Sequence, residues 1–187
     1  MRDFNKIFCI GMNKTGTTSL HHAFIDLGIP SLHGSPDGLR PVWVMPVFAK
    51  RMTEYLNERL SRGVQNPLGV FDVFRAYLDL YSFITFFREL DEAYPNSLFV
   101  YTNRNDEEWI ASRENHLSEL NKSAESRQKW LKEKHDHESK VFRYFKDRPD
   151  DLLCIDICDG EGFEKLCPFL GLPVPDKAFP VKNKKRK

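Results

Sequence analysis

The first residues constrain this chain most, because they predict a buried strand, a glycine-containing loop and a helix in direct succession. Apolar residues fill positions 7–10 and Gly11 ends the run, which is typical of a buried parallel strand. After the loop, apolar side chains recur at helical spacing as far as Gly28, a predicted helix end: Leu20, Ala23, Phe24 and Leu27. Loop N–H groups beside a helix N-terminus, which carries roughly half a positive charge, form an anion site.

The loop itself, GMNKTGTTS, matches half of the phosphate-binding pattern G-x-x-x-x-G-K-[ST]. Gly11 and Gly16 have the required separation, and Thr18 occupies the hydroxyl position. Thr17 stands where the pattern has its lysine, and the lysine of this loop is Lys14. The shift changes which oxygen of a bound anion the lysine can reach.

A second candidate anion site follows the apolar run at residues 97–102, a predicted strand. Arg104 comes directly after that strand, and Ser112 lies eight positions further along, near two turns into the next predicted helix. A guanidinium can bind two oxygens of a phosphate while a hydroxyl binds a third. An arginine and a serine at this spacing are also common as a solvated pair, which is the alternative interpretation.

Short apolar runs alternate with segments of helical periodicity along the chain, which predicts an α/β fold with a three-layer parallel sheet flanked by helices. The predicted strands are residues 7–10, 69–72, 97–102 and 152–157, with a further short one within 28–33, and the predicted helices are 20–27, 42–63, 74–94, one from 106, and 162–170. Parallel sheets bind ligands at the carboxyl ends of their strands. Residues 11–19, Asp72 and Arg104–Ser112 are therefore expected on one rim.

The length of 187 residues suits one domain, which we assign to residues 1–181. Residues 113–147 are highly charged and predict an exposed helical insertion of one or two helices with a break near Lys122-Ser123. Residues 182–187 form a basic tail. A solvated tail is the simplest interpretation, and contact with an anionic ligand or an import signal are the alternatives.

Composition limits the compartment and the partners of the chain. The formal net charge of +1 creates no field that would attract nucleic acid. No apolar run approaches the ~20 residues of a membrane span, and the N-terminus lacks the apolar region of a signal peptide. No C-x-x-C pair occurs among the four cysteines, which predicts buried reduced thiols and a cytoplasmic protein: Cys9, Cys154, Cys158 and Cys167.

Three segments resemble the sulfotransferases. The sequence KTGTTSL from Lys14 resembles their 5′-phosphosulfate loop, the segment from Tyr94 to Ser112 resembles their 3′-phosphate segment, and residues 152–180 resemble the end of a sulfotransferase-like group. The resemblance covers most of the chain except about 37–66 and 117–147. It implies a P-loop nucleotide-kinase-like fold, 3′-phosphoadenosine 5′-phosphosulfate as donor, in-line sulfuryl transfer to a hydroxyl or amine, and no metal.

The resemblance also implies roles for individual residues. Lys14 would stabilise charge on the bridging oxygen of the leaving phosphate, and Arg104 with Ser112 would bind the 3′-phosphate. The sulfuryl and 5′-phosphate oxygens would be bound by the rest of the loop: Thr15, Gly16, Thr17, Thr18 and Ser19.

The general base is the least determined of these roles. Asp72 ends the predicted second strand, where several sulfotransferases place a base or an acceptor contact, although it could instead cap the next helix. His33 follows the predicted strand after the first helix, and histidine suits proton abstraction near neutral pH. The remaining candidates are His21, His22 and His116.

Two other functions fit the same residues. Asp72 could hold Mg²⁺ in an ATP-dependent nucleotide kinase or phosphotransferase, although Thr17 in the lysine position argues against it. A non-enzymatic nucleotide-binding module, with residues 113–147 as partner surface, is the second alternative. The acceptor is not predicted, so glycans, small alcohols and lipids stay open, as does the oligomeric state.

Overall fold

The structure is a computed structural model that describes residues 2–34, 45–115 and 123–182, with the backbone alone for residues 45–50 and 52. Within these residues, the strands are β1 (Ile7–Cys9), β2 (Ser31–His33), β3 (Ala76–Leu78), β4 (Leu98–Thr102) and β5 (Leu152–Ile155). The helices are α1 (Thr17–Asp26), α2 (Met45–Ser61), α3 (Tyr81–Thr85), α4 (Phe87–Ala93), α5 (Asp106–Glu114), α6 (Ala124–Phe145) and α7 (Phe163–Leu170).

The strands form one parallel sheet with β1 at its centre, in the order β2-β3-β1-β4-β5. The chain leaves β1 toward one edge of the sheet and later crosses back over it to β4. In open α/β sheets, the carboxyl ends of the strands at such a reversal are where ligands bind. The predicted α/β class with a parallel sheet is confirmed.

Helices cover both faces of the sheet. Successive residues of a strand point to opposite sides, so each face of the sheet has its own core. Ile7 and Cys9 of β1 pack in a core with α1 and α7. Phe8 of β1 and the following Ile10 pack in a second core, to which α2, α3, α4 and α6 contribute. The result is three layers with β1 buried between the two helical ones.

The predicted strand at residues 69–72 is wrong. Residues Gly69–Phe71 form a turn of 3₁₀ helix, and Val70 is 77% exposed. The strand is Ala76–Leu78, which the sequence pattern placed inside a helix. This strand is buried on both faces, so it lacks alternation, and its apolar residues continue into α3 and α4 at a spacing that imitates one long helix.

Helix α6 also differs from the prediction of an exposed helical insertion. The break before it is confirmed, since Ser123 caps the helix by accepting a hydrogen bond from the N–H of Ser126. One face of α6, however, is buried against the sheet, with Val141 and Phe145 in the second core. The prediction of an exposed insertion is therefore wrong for this face. The segment has few apolar residues, but their helical spacing places them on one side of α6, which is enough to bury that side.

Several predictions fall outside the described residues. They are the start of the helix at residues 42–44, the candidate base His116, and the tail from residue 183 on. Among the residues that the structure does describe, no helix is long and apolar enough to span a membrane. All four cysteines are described and form no disulfide. Cys9 and Cys167 are buried and Cys154 is partly buried, but Cys158 is exposed, so the prediction of buried thiols is wrong for Cys158.

Candidate active site

The loop after β1 reaches α1 through two residues in the left-handed region, Lys14 with φ 68° and Gly16 with φ 93°. Gly11, at the start of the loop, lies so close to β4 that an added Cβ would stand 2.4 Å from the carbonyl oxygen of Thr102. At Gly16, an added Cβ would stand 2.9 Å from the Cβ of Ile157. Close packing on both sides therefore fixes the path of the loop.

The hydroxyl of Thr15 holds the loop together and is fully buried. Its Oγ1 donates to the carbonyl oxygen of Met12 and lies 2.6 Å from Oγ1 of Thr102. That hydroxyl does not face a bound sulfuryl group, contrary to the expectation from the sequence. Only the backbone of Thr15 is left for a ligand.

The first turn of α1 carries no acidic side chain that would compete with a bound anion. Gly16 caps the helix without a side chain. Thr17 Oγ1 lies 3.2 Å from Nε2 of His33. Ser19 Oγ accepts a hydrogen bond from the backbone N–H of Lys182 at 3.0 Å, so it keeps its own proton to donate. The helix end therefore offers backbone N–H groups and hydroxyls together.

Arg104, a residue of the second predicted anion site, contacts the loop that forms the first. Its Nη1 donates to the backbone carbonyl oxygen of Lys14 at 3.1 Å, and its Nε lies 3.3 Å from Oε2 of Glu108. The arginine side chain stays 23% exposed, so part of the guanidinium can still bind a ligand. Ser112 is half-buried on α5, one turn beyond Glu108 and on the same side of the helix.

Helix α5 is anchored to the loop through its N-terminal half. Asn105 caps α5, its Oδ1 accepting from the N–H groups of Glu107 and Glu108. The buried Trp109 donates from Nε1 to the carbonyl oxygen of Asn13 at 2.8 Å. The loop, Arg104 and α5 thus form one connected unit.

Helix α6 supports this unit from behind through two buried polar residues. Lys134 Nζ donates to the carbonyl oxygen of Arg104 at 3.0 Å and to Oδ1 of Asp106 at 2.6 Å. His137 Nε2 lies 2.7 Å from the carbonyl oxygen of Ile10, just before the loop. Burial lowers the pKa of His137, so the ring is neutral at pH 7 and Nε2–H donates. Partial burial opposes ionisation of Asp106, but hydrogen bonds from Lys134 and His135 hold its pKa below the usual value.

Sequence reasoning missed Lys134 and His137, although a signal exists. The buried positions 134, 137, 141 and 145 of α6 recur at helical spacing. Two of the four are polar, so the stripe was hidden by the charge of the segment.

Two candidate bases meet near the N-terminus of α1. His33 ends β2 and Asp79 follows β3, and Asp79 Oδ2 lies 3.9 Å from His33 Nε2. Asp79 has φ 56°, a strained conformation that is concentrated at functional sites. Burial, followed by the charges of His33 and His22, lowers the pKa of His21 to about 4, so His21 is neutral at pH 7.

The prediction that Asp72 lies on this rim is wrong. Asp72 pairs with Nζ of Lys6 at 2.6 Å, and Lys6 directly precedes β1. The carboxylate therefore lies at the amino-terminal edge of the sheet, opposite to the loop. The acid that follows a strand end is Asp79, after β3, and no local signal in the sequence separates this strand from the helices after it.

A cleft of about 480 Å³ opens between the loop and α6, within the usual range for small-molecule sites. Its lining comes from the loop, the segment after β3, and α3 to α6: Met12, Asn13, Asp79, Tyr81, Ile84, Thr85, Phe87, Arg113, Glu133, Asp136, His137 and Lys140. Asp79 is thus exposed to the cleft. Among the described residues, no group of three His, Cys, Asp or Glu side chains is placed to hold a metal ion.

Comparison with known families agrees with this geometry. The model of the sulfotransferase domain matches residues 6–135 and 119–187. The chain belongs to the sulfotransferase domain family. This confirms the predicted sulfotransferase family, and the protein is a transferase.

One solved structure similar to this sulfotransferase is the crystal structure of a sulfotransferase from Alicyclobacillus acidocaldarius. The match covers 100% of this chain and 87% of that one, at 14% identity and a TM-score of 0.52. At this identity the likeness shows the fold alone. No curated protein matches the chain.

Proposed function

We propose that this sulfotransferase moves a sulfuryl group from 3′-phosphoadenosine 5′-phosphosulfate to a hydroxyl or amine of a small-molecule acceptor. The observation that carries the proposal is the 3.1 Å hydrogen bond from Arg104 Nη1 to the carbonyl oxygen of Lys14. It makes the two predicted anion sites neighbours, as one nucleotide with phosphates at both its 3′ and 5′ positions requires.

The phosphosulfate end of the donor is assigned to the loop and the start of α1. Backbone N–H groups of residues 15–19 and the hydroxyls of Thr17, Thr18 and Ser19 bind the phosphate and sulfuryl oxygens. The ammonium of Lys14 and the positive end of α1 stabilise negative charge as it develops on the bridging oxygen. Fixed charges of this kind need no reorganisation during transfer.

The 3′-phosphate is assigned to Arg104 and Ser112. The arginine has a guanidinium N–H left to donate beyond its bonds to Lys14 and Glu108. Binding of the phosphate would compete with Glu108, which is exposed and easily released. The arginine therefore exchanges a weak surface ion pair for a phosphate.

Asp79 is assigned as the general base that takes the proton of the acceptor, and His33 lies beside it. Asp79 lines the cleft and lies close to His33, which in turn contacts Thr17 of the phosphosulfate site. The acceptor oxygen attacks sulfur as Asp79 takes its proton, and the bond from sulfur to the bridging oxygen breaks. The electron pair leaves with the 5′-phosphate, and adenosine 3′,5′-bisphosphate is released.

The free thiols support a reducing compartment for this reaction. Cys9 and Cys167 are buried, and burial raises the pKa of the Cys9 thiol to about 12, so it stays protonated. Unpaired thiols are usual in proteins of the cytoplasm, which is the location we infer.

Calorimetric titration tests the donor assignment. Adenosine 3′,5′-bisphosphate is expected to bind, whereas ATP with Mg²⁺ is expected to bind much more weakly, because it lacks the 3′-phosphate that Arg104 and Ser112 would hold. Equal or tighter binding of ATP with Mg²⁺ would instead favour the phosphotransferase alternative. Transfer of labelled sulfuryl groups from the donor then separates an enzyme from a module that only binds nucleotide.

A further inference from the structure

The cleft beside Asp79 has a composition that limits which acceptors it can hold. We infer that it binds a small amphipathic alcohol or phenol without negative charge, and that it rejects anionic acceptors such as acidic glycans. This inference rests on the proposed function, since the cleft is assigned to the acceptor because Asp79 lines it.

The charges around the cleft do not favour an anion. Its carboxylates are Asp79, Glu133 and Asp136, and its cations are Arg113 and Lys140. His137 adds no charge, because burial lowers its pKa. Three negative groups against two positive ones leave the lining without a positive excess, and a polyanion needs such an excess to offset its desolvation.

Nearby charges outside the lining do not change this balance in favour of anions. Lys132 pairs with Asp136 on α6, and its hydrogen bond lowers the pKa of Asp136, which is therefore ionised. Adding Lys132 makes the local charge even, not positive. The loop of the donor site, by contrast, carries Lys14 and no acidic residue, and Arg104 beside it pairs with the exposed Glu108.

Arg113, one of the two cations that line the cleft, is already engaged with aromatic rings. Its guanidinium lies 5.3 Å from the ring centre of Trp109 and 4.8 Å from that of Trp130. Burial lowers its pKa, while the nearby Glu133 acts in the opposite direction. Stacking on two indoles satisfies the faces of the guanidinium, so Arg113 shapes the wall more than it attracts an anion.

The remaining wall is apolar and fits a ring or a short aliphatic body. Met12 and Phe87 are buried, and Tyr81 is 69% exposed, at the side of the cleft that α3 forms. An exposed tyrosine ring offers a flat surface on which an apolar group can stack. An acceptor can therefore place its hydroxyl toward Asp79 and its body against these side chains.

Three phenols test the inference: 4-ethylphenol, tyramine and 3-(4-hydroxyphenyl)propanoate, which share a two-carbon para side chain that ends in hydrogen, an ammonium group or a carboxylate. Labelled sulfuryl transfer to each is measured with the full chain. We expect kcat/KM for the neutral and cationic phenols to exceed that for the carboxylate at least about tenfold, as repulsion of ~1.4 kcal/mol would give. Equal or faster transfer to the carboxylate, or to a uronate-containing oligosaccharide, would overturn the inference.

A charge reversal in the cleft provides the second test. The variant Glu133→Lys should raise the ratio of kcat/KM for the carboxylate to that for 4-ethylphenol by about fivefold or more, because a repulsive partner becomes attractive. The matched control is Glu164→Lys on α7, an exposed acid outside the cleft. The control should leave that ratio unchanged, and a response equal to that of Glu133→Lys would contradict the assignment of the cleft.

Binding of adenosine 3′,5′-bisphosphate distinguishes a failure of the acceptor inference from a failure of the proposed function. If the bisphosphate binds but none of the three phenols is sulfated, the acceptor inference is wrong and the donor assignment stands. If the bisphosphate does not bind, the proposed function fails, and the acceptor inference falls with it.

Discussion

The guanidinium of Arg104 donates a hydrogen bond to the backbone carbonyl oxygen of Lys14, although ninety positions separate the two residues in the chain. The bond joins the rim position after β4 to the loop after β1, and these strands are neighbours in the sheet. Any change that moves the loop is therefore expected to move the residue assigned to the 3′-phosphate as well.

Removal of either cation should weaken nucleotide binding. Lys14→Ala and Arg104→Ala are each expected to raise the Kd for adenosine 3′,5′-bisphosphate by roughly 10- to 100-fold, the usual effect of losing a hydrogen bond to a charged group. Calorimetry provides the measurement. Lys129→Ala and Arg62→Ala, on exposed parts of α6 and beyond α2, are matched controls that should leave the Kd unchanged. Similar losses in the controls would indicate a general electrostatic effect.

Substitution of Asp79 and substitution of His33 should lower kcat to different degrees. Asp79→Asn keeps the shape but removes the base, so kcat is expected to fall by about 100-fold or more, while the Kd for the bisphosphate stays within about twofold. His33→Gln is expected to lower kcat less, because it positions Thr17 and Asp79. The reverse order of effects would assign the base to His33.

Asp72→Asn is the control for that comparison, because Asp72 lies at the opposite edge of the sheet. Loss of its ion pair with the largely buried Lys6 should lower the free energy of unfolding, as measured with urea. The kcat of the folded variant should stay unchanged. A loss of kcat without a loss of stability would restore Asp72 as a candidate for the active site.

Gly11→Ala should damage the loop through steric overlap. The new Cβ would stand 2.4 Å from the carbonyl oxygen of Thr102, and a backbone atom of the central sheet cannot move aside cheaply. We expect a loss of about 3 kcal/mol or more in the free energy of unfolding. Gly28→Ala is the matched control: it meets no atom within 4 Å and has φ 72°, so it should cost only about 1 kcal/mol.

The pH dependence of stability should contain a contribution from His21. Its pKa is about 4 in the folded protein and 6.5 in the reference state, so below pH 6.5 the unfolded chain binds a proton that the folded chain does not. Stability therefore falls as the pH drops from 6.5 toward 4. His21→Gln should reduce that loss by about 1–2 kcal/mol near pH 5, measured by urea unfolding. His22→Gln is the control, and an equal reduction there would contradict the assignment.

The strand, loop and helix at the start of the chain could be predicted because local chemistry determines each of them. An apolar run, two glycines and a helical stripe follow one another within 7–27, and the structure has β1 and α1 there. The same holds for the cap at Asn105 and for α5. In these segments, local preference and tertiary packing act in the same direction.

Strand β3 and Asp79 could not be predicted because tertiary contacts decide them. Three buried residues are too few to show a period, and Asp79 adopts a positive φ without being glycine. Nothing local marks the break between the strand and α3. Because the strand was predicted at residues 69–72 instead of 76–78, Asp72 was expected on the rim, where the structure has Asp79.

The two sides of α6 suggest how such a protein could change its chemistry. Lys134 and His137 support the donor loop and Arg104, whereas positions 133, 136 and 140 line the cleft, which His137 also borders. Neighbouring positions on one helix thus contribute to different sites. Substitutions at 133, 136 and 140 could therefore change the acceptor specificity while donor binding is retained. Laboratory evolution toward new acceptors should begin at those three positions.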